Sequence, residues 1–233
     1  MQFEFPMSST QTWEIAVGDE VTTAAWDPPS DGGAGPVFVC AHGAGGHMED
    51  KSILAVTQAL RATGIDTVRF NFLYRARRSG RPDLMPRLIE CFDAVVARVR
   101  AELHPDVLIL GGRSMGGRAA SMMASEGTPC DGLLLLAYPL HPPGQPQKLR
   151  AAHLPAIAQP VLCINGTRDP FCERALMAQV QQGLDANWRM HWLDGADHSF
   201  HVLKSSGRTN ADVLTEVAAA CQSWMSGYQW LTR

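Results

Sequence analysis

The sequence of 233 residues lacks the features of several protein classes. Its six cysteines are scattered singly, without a C-x-x-C pair, so we expect reduced core residues rather than disulfides or zinc ligands. The formal charge is only −3, which gives no electrostatic reason to expect a nucleic acid or an anionic membrane as partner. No apolar run approaches the roughly 20 residues that a membrane helix needs. Repeats and low-complexity segments are also missing.

The N-terminal stretch "MQFEFPMSSTQTWE" has neither the basic residues nor the apolar run of a signal peptide. A cytoplasmic location is therefore the simplest expectation. The length and the apolar fraction of 45% fit one globular domain, which we place at residues 1–233. The sequence leaves open whether the protein is a monomer or a homodimer.

The distribution of apolar residues predicts an α/β fold. Two candidate strands, "TWEIAV" and "EVTTAAW", are separated by "GD" and indicate a hairpin. Short apolar strands then alternate with helical patterns, which is typical of a parallel sheet covered on both faces. We therefore predict a three-layer sandwich with about eight mostly parallel strands and an antiparallel N-terminal edge hairpin. We expect Asp83 to cap the helix that carries Leu88, Phe92 and Val96.

The motif "GGRSMGG" follows the predicted strand "DVLIL" and precedes a predicted helix. Glycines two residues on either side of Ser114 allow the sharp strand-to-helix turn that presents a nucleophilic serine above a sheet. Such a turn also directs the Met115 amide, at the helix N-terminus, towards a developing negative charge. The alternative is a glycine-rich turn with an incidental serine. The flanking elements favour the nucleophile.

A serine nucleophile needs a base to accept its proton and an acid to orient that base. Asp169 follows the strand "VLCING", and His198 follows the strand "WRMHWL", so both lie at the edge of the sheet where ligands bind. Asp194 and Asp197 are rival acids. However, Asp194 comes directly after the strand "WRMHWL". Asp197 is adjacent to His198 in the sequence, and the side chains of adjacent residues rarely face each other.

The segment "AHGAGG" follows the strand "VFVC" and has the small residues that let a backbone approach a substrate oxygen. We expect the Ala44 and Met115 amides to form an oxyanion hole. His42 is interpreted as a residue that holds this loop, and the role of His47, at its rim, stays open. His141 follows another strand and is a candidate for lining the pocket.

Arginines are concentrated in "RFNFLYRARRSGRPD", directly after a predicted strand. One interpretation is a solvated loop. The other is that Arg77 and Arg78 recognise an anionic substrate, because guanidinium pairs well with carboxylate and phosphate.

In these motifs the chain resembles the α/β-hydrolase superfamily, whose triad order is serine, acid, histidine. The "HGAGG" loop and the "FNFLY…GRPD" segment are similar to those of small dienelactone-hydrolase-like hydrolases. The resemblance implies the α/β-hydrolase fold. Dienelactone hydrolases proper use a cysteine nucleophile, whereas this chain has Ser114. The segment His141 to Pro160 is too short for a lid domain, so we expect no more than a turn or small helix there.

The function expected from these residues is hydrolysis of a carboxylic ester or related acyl bond of a small molecule through an acyl-enzyme, and an anionic substrate is one alternative. Ser114 would be the nucleophile, His198 the base and Asp169 the orienting acid. No metal or organic cofactor is expected, because no zinc spacing or phosphate loop is present. Two alternatives remain: a catalytically silent scaffold that acts as a binding module, and a hydrolase of thioesters or peptides.

Overall fold

A computed structural model describes residues 10–29 and 35–228. Its strands are Gln11–Val17 (β1), Glu20–Asp27 (β2), Val37–Ala41 (β3), Asp66–Phe70 (β4), Leu108–Arg113 (β5), Gly132–Leu136 (β6), Val161–Gly166 (β7) and Trp188–Leu193 (β8). Its α-helices are Lys51–Arg61 (α1), Leu73–Ala76 (α2), Met85–Leu103 (α3), Met115–Ser125 (α4), Arg174–Gln181 (α5) and Asn210–Ser226 (α6). Short 3-10 turns occur at Leu154–Ala156 and Lys204–Ser206.

The strands form one sheet in the order β1-β2-β4-β3-β5-β6-β7-β8. The pairs β1–β2 and β2–β4 are antiparallel, and every pair from β4–β3 to β7–β8 is parallel. The predicted α/β sandwich with an antiparallel hairpin at its N-terminal edge is therefore confirmed. The carboxyl ends of β3, β5, β7 and β8 meet at one edge, which brings distant sequence motifs together.

Two apolar clusters cover the two faces of the sheet. Buried residues of α3, α4 and α5 pack on one face, and those of α1 and α6 pack on the other. The central strands β3, β5, β6 and β7 are buried along their whole length, which explains why they read as apolar runs without alternation. On α3, Leu88, Phe92, Val95, Val96 and Val99 form the buried stripe that their helical spacing predicts.

The start of α3 differs from the prediction. The N-cap residue is Leu84, not Asp83, and it makes no side-chain capping bond. Asp83 instead bonds the Arg77 guanidinium, so its carboxylate is not used as a cap. Pro86, in the first turn, has no N–H that would need a capping acceptor.

The segment after β6 carries only the 3-10 turn Leu154–Ala156 before β7 begins. The prediction that this segment is too short for a lid domain is confirmed. Within residues 10–29 and 35–228, no helix combines the length and the apolar character that crossing a membrane requires.

Candidate active site

Ser114 lies at the turn between β5 and α4, with a strained backbone conformation of φ 50° and ψ −112°. The turn is possible because its flanking glycines have no side chains. A Cβ atom at Gly112 would lie 2.2 Å from the Ala41 carbonyl oxygen, and one at Gly116 would lie 2.4 Å from the same atom. The glycines thus allow the turn to pack directly against the end of β3, as the motif predicts.

The serine, histidine and aspartate that the sequence singles out form one hydrogen-bonded chain. His198 Nε2 lies 3.0 Å from Ser114 Oγ, and His198 Nδ1 lies 2.8 Å from Asp169 Oδ2. The Asp169 side chain is fully buried and accepts from the imidazole at Nδ1–H, which leaves Nε2 to accept the serine proton. This is the arrangement that makes a hydroxyl nucleophilic.

The Asp169 carboxylate has two further donors. Asn165 Nδ2 donates to Oδ2 at 3.1 Å, and the Phe171 N–H donates to Oδ1 at 2.8 Å. Asn165 itself is fixed, because its side chain donates to the Tyr138 carbonyl and accepts from the Tyr138 N–H. The acid is thus oriented from β7 and from the end of β6 together. The role of Asn165 is not among the predictions, although a polar residue within the apolar strand "VLCING" is a signal for it.

The neighbours of His198 restrain the imidazole on two sides. The Phe171 ring lies against it, with ring centroids 4.3 Å apart. The buried Arg113 guanidinium donates to the His198 carbonyl oxygen and lies over the Phe200 ring at 5.2 Å. Arg113, next to Ser114 in sequence, therefore connects the turn at Ser114 (the nucleophile turn) to the loop that carries His198 (the histidine loop). No local sequence pattern predicts this role.

The rival acids contact other groups. Asp197 Oδ1 accepts from the Ser199 and His201 N–H groups, so it stabilises the turn that carries the histidine. Asp194 is exposed and accepts from Thr167 Oγ1 at 3.4 Å. Neither carboxylate contacts the imidazole.

The loop after β3 places its backbone beside the serine. A Cβ atom at Gly43 would lie 3.6 Å from Ser114 Cβ, so the adjacent Ala44 amide belongs to the same edge of the site. Among the described residues, no acceptor takes a hydrogen bond from the Ala44 or Met115 N–H. Two unpaired amides near a nucleophile are what an oxyanion hole requires.

Residues of the segment after β4 hold this loop. The Phe72 N–H donates to His42 Nε2 at 3.2 Å, and the Gly45 N–H donates to Tyr74 Oη at 3.1 Å. Arg69 donates to the Met48 carbonyl at 3.0 Å. Burial lowers the pKa of His42 to about 4, so the imidazole stays neutral. The "RFNFLY" motif thus supports the loop after β3.

The remaining predicted site residues make local contacts. His47 Nε2 lies 3.1 Å from Asp50 Oδ1 at the loop rim. His141 is buried, with Nδ1 2.9 Å from the Pro142 carbonyl, and so does not present an open face to a ligand.

The two arginines proposed for substrate recognition differ in their contacts. Arg77 is held between Glu20, at 2.6 Å, and Asp83. Arg78 is exposed, with a positive φ of 59°. Because two carboxylates already contact the Arg77 guanidinium, its geometry favours the interpretation of this segment as a solvated loop over recognition of an anionic substrate. No group of three or more His, Cys, Asp or Glu side chains in the described part of the chain comes together as a metal site would.

Comparison with known proteins agrees with this fold. Residues 34–226 match the family model of the alpha/beta hydrolase domain, and the chain therefore belongs to this family. It is similar in structure to an alpha-beta serine hydrolase homologue from Coxiella burnetii, with 22% identity, a TM-score of 0.73, and coverage of 90% of this chain and 96% of that one.

Two further solved structures share the fold. A serine hydrolase without a lid from Xanthomonas campestris has 23% identity and a TM-score of 0.72, and the match covers 94% of this chain and 96% of that one. A dienelactone hydrolase from Anabaena variabilis has 20% identity and a TM-score of 0.74, with coverage of 94% and 98%. The predicted resemblance in fold to lidless and dienelactone-hydrolase-like hydrolases is thereby confirmed.

Proposed function

We propose that the protein is a serine hydrolase that cleaves a carboxylic ester or a related acyl bond of a small molecule through an acyl-enzyme. The observation that carries this proposal is the hydrogen-bonded chain from Ser114 through His198 to the buried Asp169. Membership of the alpha/beta hydrolase family supports it.

The proposed reaction starts when His198 Nε2 accepts the proton of Ser114 and Oγ attacks the substrate carbonyl carbon. Asp169 stabilises the imidazolium that forms, and the Ala44 and Met115 amides hold the oxyanion. Collapse of the intermediate breaks the bond to the leaving alcohol, which takes the proton from His198. Water then attacks the acyl-enzyme by the same route and releases the acid.

The test measures hydrolysis of 4-nitrophenyl butyrate by wild type and Ser114→Ala. Removing the nucleophile should lower kcat by about four to six orders of magnitude. Ser125→Ala is the matched control, because its hydroxyl lies on the same helix and bonds only the Met122 carbonyl at 2.8 Å. It should retain wild-type activity.

Covalent labelling separates the proposed enzyme from a silent scaffold. A fluorophosphonate should add to Ser114 in wild type and in Ser125→Ala, and not to Ser114→Ala. Failure of the wild type both to react with this probe and to hydrolyse ester, thioester and peptide substrates would instead support a binding module. Labelling that persists in Ser114→Ala would place the nucleophile elsewhere.

A further inference from the structure

Three basic residues on α4 and on the segment after β6 lie near one another. Arg118 is in the first turn of α4, and its N–H donates to the Ser114 carbonyl at 3.0 Å. Arg150 and His153 come from the segment between β6 and β7. Arg118 is about 6 Å along the helix axis from Ser114. Residues four apart along a helix share one face, so Arg118 follows Ser114 by about one turn on that face. We call Arg118, Arg150 and His153 the basic cluster.

Hydrogen bonds fix the backbone and the imidazole of the basic cluster. Tyr138 Oη donates to the Arg150 carbonyl at 2.8 Å, and the Arg150 N–H donates to the Leu140 carbonyl at 2.7 Å. Ser121 Oγ donates to the Arg118 carbonyl at 2.8 Å and lies 2.8 Å from His153 Nε2. These bonds use main-chain groups and the imidazole, and none of them uses a guanidinium.

The two guanidinium groups have no acidic partner in the described part of the chain. Arg118 Nε is buried there without any acceptor. By contrast, Arg69, Arg77 and Arg87 each contact carboxylates. A buried or half-buried cation is costly unless an anion accompanies it. The basic cluster is therefore electrostatically incomplete as the chain alone forms it.

Charge effects within the basic cluster agree with this geometry. Burial, followed by the charge of Arg118, lowers the pKa of Arg150. The same two causes lower the pKa of His153 to about 4, so this imidazole is neutral at physiological pH. Two positive charges thus face each other beside a neutral histidine, an environment that a carboxylate would stabilise.

We propose that Arg118 and Arg150 bind a carboxylate on the acyl part of the substrate, so that the preferred substrate is a monoester of a dicarboxylic acid. This inference rests on the proposed hydrolase function, because it names the substrate class of the same site. Since Arg118 follows Ser114 by about one helical turn, a carboxylate bound there would hold the ester carbonyl near Ser114. The anion specificity that the sequence suggested for Arg77 and Arg78 is thereby assigned to other arginines.

Binding is tested separately from catalysis, with monomethyl glutarate titrated into the Ser114→Ala protein by calorimetry. Dimethyl glutarate is the neutral match. The charged monoester should bind saturably, and adding Arg118→Gln or Arg150→Gln should weaken its binding about tenfold or more. Arg98→Gln is the matched control, because Arg98 pairs with Glu102 on the exposed face of α3, and it should leave binding unchanged. Equal binding of the two esters, or binding that neither variant weakens, would overturn the proposal.

A second experiment measures the steady-state kinetics of hydrolysis of the two esters. In wild type, kcat/KM should be higher for the monoester than for the diester, and Arg118→Gln or Arg150→Gln should lower this ratio about tenfold, mainly through KM. If Ser114→Ala binds the monoester through Arg118, but wild type neither reacts with the fluorophosphonate nor hydrolyses any ester, thioester or peptide substrate, the anion site stands and the hydrolase function fails. If both esters are hydrolysed with an equal ratio in all variants, the hydrolase function stands and the anion site is wrong.

Discussion

Acidification should destabilise the fold through His42, because this imidazole is fully buried in a neutral form. Its Nδ1–H donates to the Gly43 carbonyl at 2.8 Å, and its Nε2 accepts from the Phe72 N–H at 3.2 Å. Protonation would place a proton on Nε2, where it would face that donor. Burial, which disfavours the charged imidazolium, lowers the pKa of His42 from 6.5 to about 4.

The size of the effect follows from the difference between the folded and unfolded chains. In the unfolded chain the imidazole has its ordinary pKa of about 6.5, so the unfolded chain binds this proton first as the pH falls. Stability is unaffected by His42 well above pH 6.5, and it declines as the pH falls from about 6.5 towards about 4. Between about pH 7 and about pH 5, the expected loss in the free energy of unfolding is about 2 kcal/mol.

Urea denaturation at these two pH values tests this prediction. His42→Gln removes the titrating group, so its stability should fall by about 2 kcal/mol less than that of wild type. His201→Gln carries the same substitution at an exposed histidine and should behave as wild type. His153 is present in all three proteins, so its contribution cancels in the comparison. If His42→Gln loses as much stability on acidification as wild type does, His42 is not the group that destabilises the fold.

Two further substitutions test the packing of the nucleophile turn and the role of the acid. Gly116→Ala should lower the free energy of unfolding by about 2 to 3 kcal/mol, because its Cβ would lie 2.4 Å from the Ala41 carbonyl oxygen. In urea denaturation, Gly183→Ala, whose nearest contact is at 3.7 Å, should cost little, and equal costs would contradict the packing argument. Asp169→Asn should lower kcat for ester hydrolysis about 10³- to 10⁴-fold, since the charge that stabilises the imidazolium is lost. Asp194→Asn serves as the exposed control, and a similar loss in both variants would reassign the acid.

The residues that contact one another in the candidate site were predictable because their positions follow from the fold. A parallel sheet gathers its ligand-binding residues at the carboxyl ends of the strands, and Ser114, Asp169 and His198 each follow one. The turn at Ser114 requires small neighbours whatever the rest of the chain contains. Such requirements are local, so they are visible in the sequence.

The supporting residues were less predictable, since their roles depend on neighbours distant in sequence. Arg113 contacts the carbonyl of a residue 85 positions away, and Tyr74 contacts a loop 29 positions away. The start of α3 differs from the prediction for another reason, because the Asp83 carboxylate is bound by Arg77, only six residues away. Local patterns predict which strand, helix or loop carries a polar side chain. Its hydrogen-bond partner depends on how the whole chain packs.

Arg113 and Arg118, which lie on either side of Ser114 in the sequence, differ in the partners of their guanidinium groups. Arg113 is almost fully buried, donates to the His198 carbonyl and is covered by the Phe200 ring. Its guanidinium holds the segment that carries His198 against β5, although its Nη1 is also buried without an acceptor among the described residues. Arg118 is half-buried, and no described residue provides an acceptor for its buried Nε. A buried guanidinium nitrogen without an acceptor is costly to the isolated chain, and the substrate carboxylate is the partner that we propose for Arg118.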